Sequence, residues 1–314
     1  MNKLIVSSSP HIKTKQDTPS IMLDVIIALL PALIAGVVIY GIRALLVVVT
    51  CVLASVVSEF LFNIIVKKEQ TIFDLSAIVT GLILSLSLHA DAPVWQCIVG
   101  SVFAIIVVKC LFGGLGANFA NPAVTGRVFL LVCFSSTLAG GSRPLITNNP
   151  DLVAGATPLE VLANGGELPS LLDMFLGLRG GAIGEACILA ILLGFIYLVA
   201  RKVINFEVPL IMVATVFLLS LIVGGDVNAA LYHVLGGGIV FGAVYMATDY
   251  VTTPITRTGK MIFAFGCGLI TFLIRMYGNY PEGVSFAILF MNILSPYIEK
   301  WTKPRAFGKR GNKA

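Results

Sequence analysis

Apolar residues in this chain fall in long runs, not at alternate or every-third positions. A hydrocarbon core needs about 20 such residues per helix. Ten runs meet or approach that length: 21–40, 44–66, 72–88, 94–112, 123–139, 182–200, 208–223, 229–247, 260–277 and 284–301. The third, seventh and eighth are short or rich in glycine and polar residues, so they are expected to be tilted, broken or buried within a bundle. The pattern predicts an all-α polytopic membrane protein with a segment 1–20, one transmembrane domain 21–301 and a basic tail 302–314. The domain divides into runs one to five (21–139), a long loop (140–181) and runs six to ten (182–301). An odd number of spans per half inverts one half relative to the other. Landmarks recur accordingly. Asp24 answers Glu185, Asp91 and Pro93 answer Asp249 and Pro254, and GANFANPAV before run five answers GNYPEGVSF before run ten. The expectation is a 5+5 inverted repeat with broken helices and a central site where the halves meet.

Charge orients the bundle. Fifteen of the 21 Lys and Arg flank the runs on the side that receives both termini, against four on the other side: Arg43, Arg143, Arg179 and Arg275. The positive-inside rule then puts both termini in the cytoplasm and the 140–181 loop on the outer face. Lys109, within a run, is close enough to a cytoplasmic end to snorkel. Composition agrees. The chain is 57% apolar and 12% charged, with mean hydropathy +0.97, against about 25% charged residues in soluble domains. That excludes a soluble enzyme, a disordered chain and a nucleic-acid module; the net charge of +5 sits in the flanks. No cleavable signal peptide is expected, because the first twenty residues are polar. The six cysteines lack a CxxC and are expected to be small buried residues. His11, His89 and His233 have no metal-ligand spacing. The glycine runs 113–116 and 236–238 lack the setting of a phosphate loop and are expected to serve close helix packing.

Polar residues at membrane depth are candidates for function. Asp24, Glu59, Asp74 and Glu185 are the acids in or near spans, and Asp24, Asp74 and Glu185 are the first candidates for an ion pathway. In the outer loop, Gly155 and Ala156 precede Thr157, and Pro158 biases that threonine toward an extended conformation that presents its hydroxyl. The same letters also read as a helix start, with Thr157 as N-cap, Pro158 at the first position and Glu160 completing a capping box. Asn118, Asn121 and Arg127 stand at a helix start, where they either tie down backbone or face a ligand. Arg275 and Glu282 flank a second break, which a salt bridge between them would close. Asp249 and Arg257 read as a solvated pair in a cytoplasmic loop.

Four ordered blocks carry a family resemblance: GGLGANFANPAVTGR from Gly113, DLVAGATPLEVL from Asp151, MATDYVTTP from Met246 and IRMYGNYPEGVSFA from Ile274. Together they resemble the NqrB/RnfD family of membrane subunits. The short segment ahead of the first run resembles RnfD, since NqrB chains carry a longer extension there. The resemblance implies FMN held covalently by a phosphoester on Thr157, whose oxygens would suit a helix start, although Ala154 stands where the family often has Ser or Asp. It also implies a non-covalent riboflavin nearer the cytoplasm. Gly155, Ala156, Asn118, Asn121, Arg127, Arg275, Tyr280 and Glu282 are the residues expected around the cofactors. The implied activity is electron transfer across the bacterial or archaeal inner membrane coupled to Na+ or H+ transport. The implied setting is a six-subunit Rnf-type ferredoxin:NAD+ oxidoreductase, with a second covalent-FMN subunit, iron–sulfur subunits and the lipid bilayer as partners. An NqrB-type subunit, a passive channel or transporter, and an assembly scaffold are the alternatives.

Overall fold

The computed structural model describes residues 17–138, 141–142, 144–145, 157–163, 168–278 and 282–304. Among these residues the chain is helical, apart from one isolated bridge between Ser142 and Gly181. The first half comprises α1 (Thr18–Tyr40), α2 (Ile42–Val66), α3 (Ser76–Leu86), α4 (Val94–Val102, continuing as a π-helix Phe103–Cys110), α5 (Pro122–Cys133) and the turn α6 (Ser135–Leu138). Two short helices, α7 (Pro158–Ala163) and α8 (Leu171–Leu176), follow in the long loop. The second half comprises α9 (Ile188–Ala200), α10 (Glu207–Gly224), α11 (Val227–Leu235), α12 (Ile239–Phe241, continuing as a π-helix Gly242–Met246), α13 (Arg257–Tyr277) and α14 (Val284–Thr302).

Four of these helices are long and apolar enough to cross a membrane: α1, α2, α10 and α13. The α11–α12 pair, bent by 60°, makes a fifth if counted as one span, and several shorter apolar helices accompany them. Their faces are inverted relative to a soluble bundle. On α1 the large apolar side chains Leu23, Ile27, Leu30, Ile34 and Val38 are exposed, while Asp24, Ala28, Ala32 and Gly36 are buried. Small residues inside allow close helix approach, and large apolar residues outside suit lipid. The halves pack in corresponding ways. In the first, α2 lies against α3 and α4; in the second, α10 lies against α11 and α13, while α1–α9 and α5–α14 join the halves.

Of the three runs expected to be tilted, broken or buried, the third forms the short, almost wholly buried helix α3. The eighth is broken at Gly236–Gly238, with Gly237 at φ +61°. The seventh is one continuous helix of 18 residues, α10. The sixth run begins late, at Ile188, because residues 177–187 form an irregular wedge. Its polar backbone is satisfied by protein, as depth in a membrane requires: Ile183 N donates to Leu88 O (2.9 Å) and Gly184 N to Leu86 O (2.7 Å). The glycines of 113–116 serve a loop, not helix packing. Gly113, Gly114 and Gly116 all have positive φ, and Gly114 and Gly116 face open space. Cys51, Cys97, Cys110 and Cys267 are buried as expected, but Cys133 is exposed, near the end of α5.

At the wedge end of the bundle, Arg43 meets Asp91 at 2.9 Å with side chains 75% and 51% exposed. Screening and side-chain entropy leave such a pair little net value. Asp91→Asn is therefore expected to change stability by less than about 1 kcal/mol in a thermal melt of the detergent-solubilised protein.

Candidate functional site

Polar groups gather at two ends of the bundle. One end brings together the start of α1, the starts of α3 and α5, the end of the π-helical part of α4, the end of α9 and residues 248–250 around an open cleft. Ile83, Leu198 and Val244 supply apolar wall; Thr80, Asn118 and Asp249 supply polar groups. Asn121 and Asn118, alike in sequence, differ here. Asn121 caps α5, its Oδ1 accepting from Ala123 N (3.0 Å) and Val124 N (3.3 Å), and its Nδ2 donates to Met246 O (3.3 Å). Its task is tying down backbone. Asn118 lines the cleft with a buried Oδ1 that has no partner among the described residues. Desolvation pushes the half-buried Asp249 carboxyl upward, opposed by hydrogen bonds from Thr252 and the Val251 and Tyr250 backbone. Asp249 is not paired with Arg257: Thr252 Oγ1 donates to it, while Arg257 pairs with Glu207.

Beside the cleft lies an ion pair that charge counting along the chain does not reveal. Lys109 does not snorkel to water. Its Nζ is buried against Glu59 Oε1 (2.9 Å) and Oε2 (2.8 Å) and Ser76 Oγ (2.6 Å). Thr71 Oγ1 donates to Glu59 (2.6 Å), and Asp74 accepts from Ser76 N (2.8 Å) and its hydroxyl. The sequence signal for it is two opposite charges standing alone in apolar runs. Asp24 is also engaged: Tyr197 Oη donates to it (2.8 Å) and Arg201 pairs with it (3.2 Å).

The opposite end centres on Arg127, which pairs with Glu282 and lies 3.9 Å from Glu185 Oε1. The expected Arg275–Glu282 bridge is replaced by this contact. Arg275 instead donates to the carbonyls of His233 (2.5 Å) and Gly236 (3.4 Å), capping the broken end of α11. Thr157 is buried immediately before α7, and its carbonyl accepts from Val161 N at 3.0 Å. Leu159 packs at the same break: a Cβ on Gly237 would lie 2.9 Å from Leu159 Cδ1 and 2.8 Å from Arg275 Nη2. The loop helix that starts at Thr157 thus meets the guanidinium at one glycine. α7 is only six residues long, so the substantial positive group in that neighbourhood is Arg275, not a helix end. Gly155, Ala156 and Tyr280 lie outside the described residues. Among the described residues no cluster of His, Cys, Asp and Glu could hold a metal.

An all-helical bundle with lipid-suited outer faces, a helix broken at glycines and buried charges at the break defines a polytopic membrane protein. Comparison with known proteins gives the family: residues 5–308 match the model for the NQR2, RnfD, RnfE family. The chain belongs to that family, and the resemblance to RnfD stands. A relative from Acetobacterium woodii, named as the D subunit of a Na+-translocating ferredoxin:NAD+ oxidoreductase complex, is 47% identical, over 97% of this chain and 95% of the relative. One from Clostridium ljungdahlii, named as the D subunit of a proton-translocating complex of the same kind, is 41% identical over 98% and 97%. One from Stutzerimonas stutzeri, named as the D subunit of an ion-translocating oxidoreductase complex, is 36% identical over 92% of each.

Proposed function

We propose that this chain is the membrane flavin subunit of an Rnf-type ferredoxin:NAD+ oxidoreductase and carries FMN covalently on Thr157. Identity of 47% and 41% over nearly the whole chain to relatives named as D subunits supports the complex. The observation that carries the cofactor site is the meeting of α7 with Arg275 at Gly237. Arg275 spends its terminal nitrogens on two carbonyls but keeps a buried Nε without a partner among the described residues, so a donor remains for a phosphate oxygen. Thr157 is buried, so the reading places attachment before α7 packs against α11, or during an opening of that contact.

A second flavin, riboflavin, would occupy the cleft at the other end. Its apolar walls suit a ring system, and the orphan Oδ1 of Asn118 can accept from a ring N–H or a ribityl hydroxyl. Bound flavins supply the electron chemistry, while the protein places them and sets their surroundings. The reading takes the bundle as ten spans in a 5+5 inverted repeat in the inner membrane, both termini cytoplasmic and Thr157 on the outer face. The corresponding packing of the halves supports it. The relatives' names divide between Na+ and proton, so the names do not choose the ion.

Thr157→Ala, expressed in a host that flavinylates, is expected to remove all covalent flavin and abolish electron transfer by the assembled complex. The bundle should still insert and elute as a single species. Covalent flavin retained in this variant would place the site elsewhere, and unchanged electron transfer would remove the flavin reading.

A further inference from the structure

Glu185 sits in the wedge between α8 and α9, 5% exposed, and its surroundings are unusual for a carboxylate. Three guanidiniums lie in the same region, yet two of them spend their bonds elsewhere. Arg179 Nη2 donates to the Glu185 carbonyl (2.9 Å), and its Nη1 is 4.0 Å from Met174 sulfur. Arg275 serves the carbonyls of His233 and Gly236. Arg127 bonds Glu282 and is only within 3.9 Å of Glu185. Glu185 Oε2 has no partner among the described residues. Gly238 lies against Oε1 so tightly that no Cβ fits between them. The Glu185 and Glu282 carboxyls share one neighbour, Arg127, which pairs with Glu282 and stands off Glu185. The other titratable groups of the cluster are Tyr40, whose hydroxyl donates to Arg179 O (3.1 Å), His89 beside Arg127 and Glu282, Cys187 beside Arg179, and His233 beside Arg275.

A buried ionised carboxylate without donors is costly, and its protonated form removes the charge. A metal cation fares worse, because it needs several oxygen ligands, whereas the charged neighbours of these carboxylates are guanidiniums. The Glu282 side chain is 20% exposed against 6% for Arg127, which gives the buried carboxyl a neighbour that reaches the surface. We infer that Glu185 is a proton-binding site: it carries one proton in its buried setting, while Glu282 stays ionised against Arg127. The proton exchanges with the aqueous phase through Glu282, and metal cations are excluded. The site uses only this chain's residues and is independent of a cofactor on Thr157.

Two measurements on the purified full-length chain in detergent test this. In infrared spectra at pH 7, the wild type is expected to show a carboxylic-acid C=O band that shifts in D2O. Glu185→Gln is expected to remove that band, and Asp24→Asn to leave it. Dicyclohexylcarbodiimide, which attacks protonated carboxyls in apolar settings, needs no variant. It is expected to label Glu185 in the wild type, less as pH rises, with labelling unaffected by replacing choline chloride with NaCl. Protection by Na+ would make this a cation site and overturn the inference. So would absence of label on Glu185 together with absence of the band, or a band of full amplitude in a folded Glu185→Gln protein.

Discussion

Lys109→Met is expected to destabilise the bundle by about 3–5 kcal/mol, because it leaves Glu59 buried with its charge uncompensated. Both side chains are 2% exposed, and the lysine spends its ammonium on Glu59 and the Ser76 hydroxyl. The loss spreads through three segments, since Glu59 is on α2, Ser76 starts α3 and Lys109 lies in the last turn of the π-helical part of α4. Thr71 and Asp74, which bond Glu59 and Ser76, should loosen with it. Glu59→Gln is expected to be damaging for the converse reason, a buried ammonium without its anion. The double variant Glu59→Met/Lys109→Met removes both charges and should recover much of the loss, since apolar replacement of a whole buried pair is often neutral or better. Thermal unfolding followed by size-exclusion fluorescence checks the series. Additive losses would mean that the two residues act separately.

Gly194→Ala is expected to disrupt the crossing of α1 and α9. A methyl group there would overlap both Tyr245 Oη and the Ala28 carbonyl oxygen. Those atoms are also hydrogen-bonded to one another at 2.8 Å. The clash is with backbone on one side and a buried, bonded phenol on the other, so neither can move aside cheaply. Overpacking of this kind typically costs about 1–3 kcal/mol, and here the hydrogen bond is put at risk as well. Gly224→Ala, at the end of α10 with nothing near its Cβ position, is the control and should leave the melting temperature nearly unchanged. Equal effects at the two glycines would contradict the close-approach account.

Much of this architecture is legible in the sequence because lipid imposes a simple rule. Long apolar runs must be helices, and α1, α2, α10 and α13 fall where such runs lie. The glycine-rich eighth run is bent at 236–238, where backbone leaves its helix only because protein can satisfy it, although the triplet itself reads as a packing surface. Thr157 followed by Pro158 does begin a helix, as its letters indicate. What stays hidden is partner choice among polar groups far apart in sequence. Arg275 and Glu282 are neighbours along the chain, yet one turns to α11 and the other to α5. Lys109 sits near enough to a span end to suggest snorkelling, but Glu59 on another helix holds it inside. Asn118 and Asn121 look equivalent until the fold gives one a capping task and leaves the other an open acceptor. The continuity of α10 is not evident because the seventh run is short in apolar residues, although its helix is long enough.

Intact mass of the subunit purified from a flavinylating host, read beside in-gel fluorescence after denaturation, tests the flavin on Thr157 most directly. The expected result is an added mass of one FMN less one water, fluorescence that survives denaturation, and a modified peptide containing Thr157. An unmodified mass with no fluorescence from such a host would contradict it and favour the scaffold or channel reading.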